Sequence, residues 1–96
     1  MSEEQKRTVR ILITGRVQGV GFRYWLEGEA LVLGLGGWVR NRRDGSVEAV
    51  VSGGAEAVDD MLARCRRGPA AARVGDVTVL DEDGGTCSRF EIRPTA

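Results

Sequence analysis

The sequence predicts a small α+β domain in which two helices pack on one face of a β-sheet. At 96 residues, the chain has the size of a single domain. Its apolar residues recur with a period of two in some segments and with a helical period in others. The two kinds of segment alternate along the chain, and glycines mark the boundaries between them. These patterns together are typical of an α+β fold.

The first strand and the first helix are joined by a glycine-bearing loop. The segment Arg7–Gly15 alternates between two faces, which predicts a strand with at least one buried side. A helix is predicted from Phe22 to Gly34, where the glycine is expected to act as the C-terminal cap. One face of this helix carries Phe22, Trp25, Leu26, Ala30 and Leu33.

Three residues of this helix are not accounted for by its core-facing side. Gly28 is expected to weaken the helix by about 1 kcal/mol relative to alanine. Leu31 and Val32 make the apolar face wider than a half-exposed helix needs. No functional reason for these residues follows from the pattern.

A hairpin and a second helix come next. Two strands are predicted over residues 37–42 and 46–53, and Asp44-Gly45 between them is a strong hairpin signal. A second helix is predicted over Ala55–Arg67 and is expected to end at Gly68-Pro69. The apolar residues with helical spacing in this segment are Val58, Met61, Leu62 and Cys65.

Two further strands complete the predicted order β-α-β-β-α-β with a short tail. One strand is predicted around Val74–Leu80, and a final extended piece holds Phe90 and Ile92. A turn is predicted between them at Asp83-Gly84-Gly85.

This order of elements is that of the ferredoxin-like sandwich, an antiparallel sheet with both helices on one face. We therefore expect a single domain over residues 7–96, with a short extra C-terminal strand. Residues 1–6 are expected to form a flexible N-terminal tail.

Composition and charge exclude several classes of protein. Lysine plus arginine and aspartate plus glutamate each total 14, whereas a general nucleic-acid or anionic-membrane binder normally carries a basic surplus. No apolar run approaches the ~18 residues of a membrane span. Because the chain contains no histidine, it has no histidine general base and no histidine-ligated zinc site. An enzyme with this composition would depend on arginine, amides, backbone dipoles and carboxylates.

The cysteines do not indicate a metal or redox site. Cys65 and Cys87 are too few for a four-thiolate cluster, and Cys65 lies on the apolar stripe of the second predicted helix. We interpret Cys65 as a small buried hydrophobe. Cys65 and Cys87 could form one disulfide, but the polar N-terminus lacks a secretion signal, so reduced thiols and a cytoplasmic location are expected.

The loop before the first helix is the strongest candidate for a site. Its glycines at 15, 19 and 21 permit tight turns in which backbone N–H groups converge on an anion. The following helix N-terminus adds free N–H groups, and Arg23 opposes the helix dipole there unless an anion binds between it and the loop. The alternative is a plain connector with a solvated arginine. The loop lacks the Gly-Lys-Ser/Thr of a nucleotide P-loop.

Asn41 is the second candidate. Asparagine is disfavoured in strands, and its amide can donate to and accept from one water molecule. Alternatively, Asn41 simply begins the Asp-Gly hairpin, where asparagine is common.

Two segments resemble the signatures of the acylphosphatase family. The first is Gly15-Arg16-Val17-Gln18-Gly19-Val20-Gly21-Phe22-Arg23. The second is Gly37-Trp38-Val39-Arg40-Asn41, followed by Asp44-Gly45-Ser46-Val47-Glu48 and Gly53. The two motifs occur in the expected order and spacing, and the similarity continues through the second helix. The departures lie in the first helix, at Glu27-Gly28-Glu29 and Leu31-Val32.

The resemblance implies an enzyme that needs neither metal nor cofactor. It would hydrolyse the carboxyl–phosphate bond of small-molecule acyl phosphates to carboxylate and inorganic phosphate. By resemblance, Arg23 binds the phosphate and Asn41 orients the attacking water. The residues implied to form the phosphate-binding loop, through their backbone amides, are Arg16, Val17, Gln18, Gly19, Val20 and Gly21. Phosphate or sulfate is expected as a competitive ligand, and the protein is expected to be a monomer.

Two other functions compete with this one. A ferredoxin-like module could bind RNA through exposed aromatic residues of the sheet, although no RNA-recognition signature is present and the net charge is zero. The chain could also be an acylphosphatase-like module of a larger assembly, such as the hydrogenase-maturation carbamoyltransferases that use carbamoyl phosphate. A stand-alone enzyme is favoured because the sequence ends at Ala96 with no further domain.

Overall fold

The computed structural model describes residues 5–83 and 87–96, and the predicted order of elements is confirmed. The strands and helices are β1 (Lys6–Arg16), α1 (Phe22–Val32), β2 (Gly36–Asn41), β3 (Val47–Gly54), α2 (Ala55–Arg67), β4 (Arg73–Asp83) and β5 (Phe90–Ile92). Residues 1–4 of the expected tail and Gly84-Gly85 of the predicted turn lie outside the described residues. Neither helix has the length and apolar character that a membrane crossing requires, within the part of the chain that the structure describes.

The sheet is mixed, which corrects the prediction of an antiparallel sheet. Its strand order is β4-β1-β3-β2-β5. The β1–β3, β1–β4 and β2–β3 pairs are antiparallel, but β5 runs parallel to β2. The chain leaves β4 at the end of the sheet where β2 begins, so a last strand that starts there on the far edge must run with β2. The periodicity of the sequence could not predict the parallel pairing of β5 with β2, because it carries no information about strand direction.

The segment leading into β5 passes close to the start of β2. A Cβ atom added at Gly36 would lie 1.9 Å from the carbonyl oxygen of Cys87, so only glycine fits under this backbone. The backbone N–H of Cys87 donates to Ser52 Oγ on β3 at 3.3 Å. These contacts hold β5 at the edge of β2.

Both helices contribute to one hydrophobic core on the same side of the sheet. Val9, Ile11 and Ile13 of β1 are fully buried there, as the alternation predicts. Burial also raises the pKa of Cys65 to about 12, so this thiol stays protonated and behaves as the buried hydrophobe that the sequence predicts. The helical residues in the buried cluster are Phe22, Leu26, Ala30, Val58, Met61, Leu62 and Cys65.

The opposite face of the sheet carries a cluster of charges around Glu48. The side chain of Glu48 is 1% exposed, and its carboxylate accepts hydrogen bonds from Arg10, Arg40 and Arg42 at 2.8, 2.9 and 3.0 Å. Burial opposes ionisation, but the three guanidinium donors together outweigh it and lower the pKa of Glu48. Glu48 is therefore an ionised residue inside the fold.

Candidate active site

The loop between β1 and α1 owes its shape to glycine and to one buried anchor. Gly19 and Gly21 have φ angles of 74° and 78°, in the left-handed region that other residues rarely adopt. A Cβ at either position would meet no atom within 4 Å, so backbone conformation rather than space requires glycine. Val17 is 1% exposed and packs into the core, which ties the loop to the sheet.

The first turn of α1 is left without a capping side chain. Gly21 occupies the N-cap position, and the first turn contains no acidic residue. The first N–H groups of a helix have no partner within the helix, and the partial positive charge at this end attracts anions. The start of α1 is thus electrostatically suited to an anionic group.

The loop, the start of α1 and the end of β2 surround a cavity of about 120 Å³. Arg23 and Asn41, which are distant in sequence, both line it. Of the six residues of the expected phosphate-binding loop, three line the cavity: Val17, Gly19 and Gly21. Arg16, Gln18 and Val20 are not among its lining residues, and its remaining walls are Phe22 and Tyr24.

The side chains of Arg23 and Asn41, which line the cavity, do not help to hold the fold together. Within residues 5–83 and 87–96, neither the guanidinium of Arg23 nor the amide of Asn41 makes a hydrogen bond or an ion pair, although both residues are half-buried. By contrast, Arg40 and Arg42 bond to Glu48. No carboxylate from the described part of the chain lines the cavity. A half-buried guanidinium that has no partner among the described residues, in a cavity that no described carboxylate lines, is suited to an anion.

The side chain of Gln18 connects the loop to the hairpin that follows Asn41. Its Nε2 atom donates to the carbonyl oxygens of Arg42 and Ser46 at 2.6 and 2.8 Å. These two residues close the turn themselves, since the N–H of Arg42 donates to the oxygen of Ser46 at 2.9 Å. Gln18 therefore holds the two sides of the cavity together. Sequence reasoning assigned only its backbone amide, because this partner lies far away in the chain.

The strand position of Asn41 is fixed by its neighbours. Arg40 and Arg42 are both bound to Oε1 of Glu48 on the open face of the sheet. Because side chains alternate along a strand, Asn41 is directed to the other face, where the cavity lies. The backbone carbonyl oxygen of Asn41 also accepts the backbone N–H of Ala96 at 3.0 Å. Glu48 belongs to the second motif, but no role is predicted for it there, because a single acid in a largely apolar strand is the available signal.

The sequence comparisons agree on one protein family. A family model described as Acylphosphatase matches residues 9–92. The chain is 69% identical to an acylphosphatase of Nitrobacter hamburgensis, over 88% of this chain and 84% of that protein. It is 55% identical to one of Rhodopseudomonas palustris, over 88% of this chain and 82% of the relative.

Two solved structures that share the fold of this chain are also acylphosphatases. The crystal structure of acylphosphatase from Bacillus subtilis is 38% identical, with a TM-score of 0.86 over 91% of this chain and 98% of that one. The structure of an acylphosphatase from Coxiella burnetii is 30% identical, with a TM-score of 0.88 over 97% of this chain and 100% of the other. The ferredoxin-like arrangement of two helices on a sheet is thereby confirmed, with its strands mixed in direction.

Proposed function

The chain belongs to the acylphosphatase family and hydrolyses acyl phosphates, and on that premise we propose which of its residues carry out the reaction. The phosphate group of the substrate binds in the cavity between the β1–α1 loop and the end of β2. Backbone N–H groups of the loop and of the first turn of α1 donate to its oxygens. Arg23 adds a guanidinium, whose planar geometry suits a bidentate contact with phosphate. The observation that carries this proposal is the unpaired state of Arg23 and Asn41 in one cavity.

Asn41 positions the nucleophile. Its amide can donate to and accept from one water molecule, which it holds in line with the scissile P–O bond. The oxygen of this water forms a bond to phosphorus as the bond from phosphorus to the acyl oxygen breaks, and the carboxylate departs with the electron pair. A carboxylate is a good leaving group, so no strong general acid is needed.

The proton of the attacking water passes to a phosphate oxygen. The described lining of the cavity contains neither a carboxylate nor an amine that could take it. Catalysis then rests on positioning and on stabilisation of charge in a loose transition state. In this proposal the reaction uses no metal and no cofactor, and residues 7–96 act as one monomeric domain.

The RNA-binding alternative finds little support on the open face of the sheet. Trp38 is the aromatic residue of β2 on that face, and the guanidiniums of Arg40 and Arg93 lie 4.8 and 4.7 Å from its ring centroid. Base recognition by sheets needs aromatic rings that are free to stack. A ring that is already covered by guanidinium groups does not favour this function.

The experiment that tests the proposal follows the absorbance of benzoyl phosphate with EDTA present. We expect full hydrolysis in EDTA and competitive inhibition by inorganic phosphate and by sulfate, because both ions occupy the place of the substrate phosphate. Loss of activity in EDTA with recovery on adding a divalent metal would overturn the metal-free mechanism. Noncompetitive inhibition by phosphate would place the anion site outside the cavity.

A further inference from the structure

The outer face of α1 carries an apolar strip that the core does not use. We define the α1 strip as Tyr24, Gly28, Leu31 and Val32, which are spaced by four, seven and eight residues from its first member and so share one helical face. The side chains of Tyr24, Leu31 and Val32 are 69%, 64% and 75% exposed. Leucine and valine at such exposure contribute little to folding, so the core does not explain them.

Gly28 in the middle of the strip is not required by packing. A Cβ at this position would meet nothing within 4 Å, and its φ is not in the left-handed region. Glycine nevertheless lowers helix stability. Because glycine has no side chain, the helix surface is open between Tyr24 and Leu31.

The strip runs from one cavity to another. Tyr24 lines the phosphate cavity, and Leu31 lines a groove of about 370 Å³ at the other end of α1. The rise of an α-helix separates these two residues by ~10 Å along the axis. The groove is formed with Leu31 by Gly34, Leu35, Ser88, Arg89 and Phe90.

The phosphate cavity cannot enclose a large substrate. Its volume of about 120 Å³ is well below the ~300–1,000 Å³ of pockets that enclose drug-sized ligands. With the phosphate inside, the acyl group must extend beyond the cavity. Tyr24 is the large, exposed side chain among the lining residues.

We propose that the α1 strip binds the hydrocarbon chain of a medium- or long-chain acyl phosphate whose phosphate lies in the cavity. This inference rests on the proposed function and narrows its substrate class. The substrate's own chain is the occupant because the strip begins at the phosphate cavity, follows the exposed face of α1 and ends in a groove lined by Leu31, Leu35 and Phe90.

The test compares kcat/KM for acetyl, butanoyl, hexanoyl and octanoyl phosphate. A fully buried methylene contributes about a fourfold gain in binding, so a chain on an open surface is expected to gain roughly twofold per methylene. Octanoyl phosphate, with four more methylenes, should therefore exceed butanoyl phosphate in kcat/KM by about 16-fold.

Two variants place a polar side chain on the strip, Gly28→Gln and Leu31→Gln. We expect each to reduce this advantage to less than threefold. Acetyl phosphate should change less than twofold, since its two carbons do not reach the second turn of α1. The matched control is Leu80→Gln, which alters an apolar residue of β4 that is 42% exposed at the opposite edge of the sheet. It should leave the chain-length dependence intact.

Each outcome decides between the proposals. Hydrolysis of acetyl phosphate with no dependence on chain length would overturn the role of the strip and leave the proposed function standing. Failure to hydrolyse any of the four substrates would instead contradict the proposed function itself. Chain-length dependence that survives both strip variants would overturn the inference. So would a dimer in sedimentation that Leu31→Gln dissociates, because a second copy would then cover the strip.

Discussion

Arg23 differs from the other arginines near it in what it contacts. Arg40 and Arg42 form ion pairs with Glu48, whereas Arg23 has no partner within the described residues. It also lies in the first turn of a helix, where a cation opposes the dipole. These two costs are offset when a dianion binds between Arg23 and the loop. An unpaired guanidinium at a helix N-terminus is the residue-level observation on which the proposed site rests.

Replacement of Arg23 by alanine is expected to lower kcat/KM for benzoyl phosphate by at least ~10²–10³-fold, because it removes one charge-stabilising donor from the transition state. The control is Arg66→Ala, which removes an exposed arginine from the last turn of α2. Steady-state hydrolysis rates of the two variants check this expectation. Retention of most activity by the Arg23 variant would show that another group binds the phosphate.

Replacement of Asn41 by alanine is expected to separate catalysis from binding. The variant should lose kcat by about 10²-fold, the scale of one lost polar contact in the transition state. Its inhibition constant for inorganic phosphate should stay within about twofold, because phosphate binding does not need the positioned water. Weaker inhibition by phosphate in this variant would instead assign Asn41 to the phosphate itself.

At the scale of elements, most of the fold follows from local pattern. Val9, Ile11 and Ile13 alternate and are buried on β1, and Val58, Met61 and Leu62 keep helical spacing and are buried on α2. The predicted boundaries differ by a few residues because strand ends depend on pairing. β4 runs from Arg73 to Asp83, beyond the predicted Val74–Leu80, since β1 pairs with it along this length. The departures of α1 from its core-facing pattern, Leu31 and Val32, are exposed.

Gly28→Ala is expected to stabilise α1. Alanine costs less backbone entropy than glycine, so the free energy of unfolding should rise by about 0.5–1 kcal/mol. Nothing lies within 4 Å of the added methyl group. Urea denaturation with a fixed m-value measures the change. Gly21→Ala is the contrasting variant and should lose stability, because its φ is 78°. Unchanged or reduced stability of the Gly28 variant would reveal a packing role for this glycine.

At the scale of the whole molecule, Glu48 joins three strands. It lies on β3 and bonds to Arg10 of β1 and to Arg40 of β2, on the face opposite the helices. Its carboxylate is buried while the three arginines are 29–40% exposed, so solvent reaches one side of each pair. The cluster also fixes the strand end that carries Asn41. Stability and site geometry therefore depend on the same ionised carboxylate.

Glu48→Gln is expected to lower the free energy of unfolding at pH 7 by about 1–2 kcal/mol, a value reduced by the solvent exposure of the arginines. The pKa of Glu48 is lowered in the folded protein, so its contribution is complete above the unfolded value of about 4.3. The contribution is lost as the pH falls below that value towards the folded pKa. The stability difference between the two proteins, taken from denaturation curves between pH 7 and pH 3, should narrow as the pH falls below about 4.3. A difference that grows towards pH 3 would contradict this role.

The sequence by itself determined the order of the elements and the glycine-rich character of the loop between β1 and α1. Periodicity is a local property, and the glycines at 19 and 21 are needed for a backbone shape that depends on few neighbours. Only the tertiary structure decided that β5 runs parallel to β2, that Arg23 and Asn41 share a cavity, and that the side chain of Gln18 connects the loop to the hairpin. These features arise where segments distant in the chain meet. Contacts between distant segments produce no periodic pattern in the sequence, so the sequence alone could not predict them.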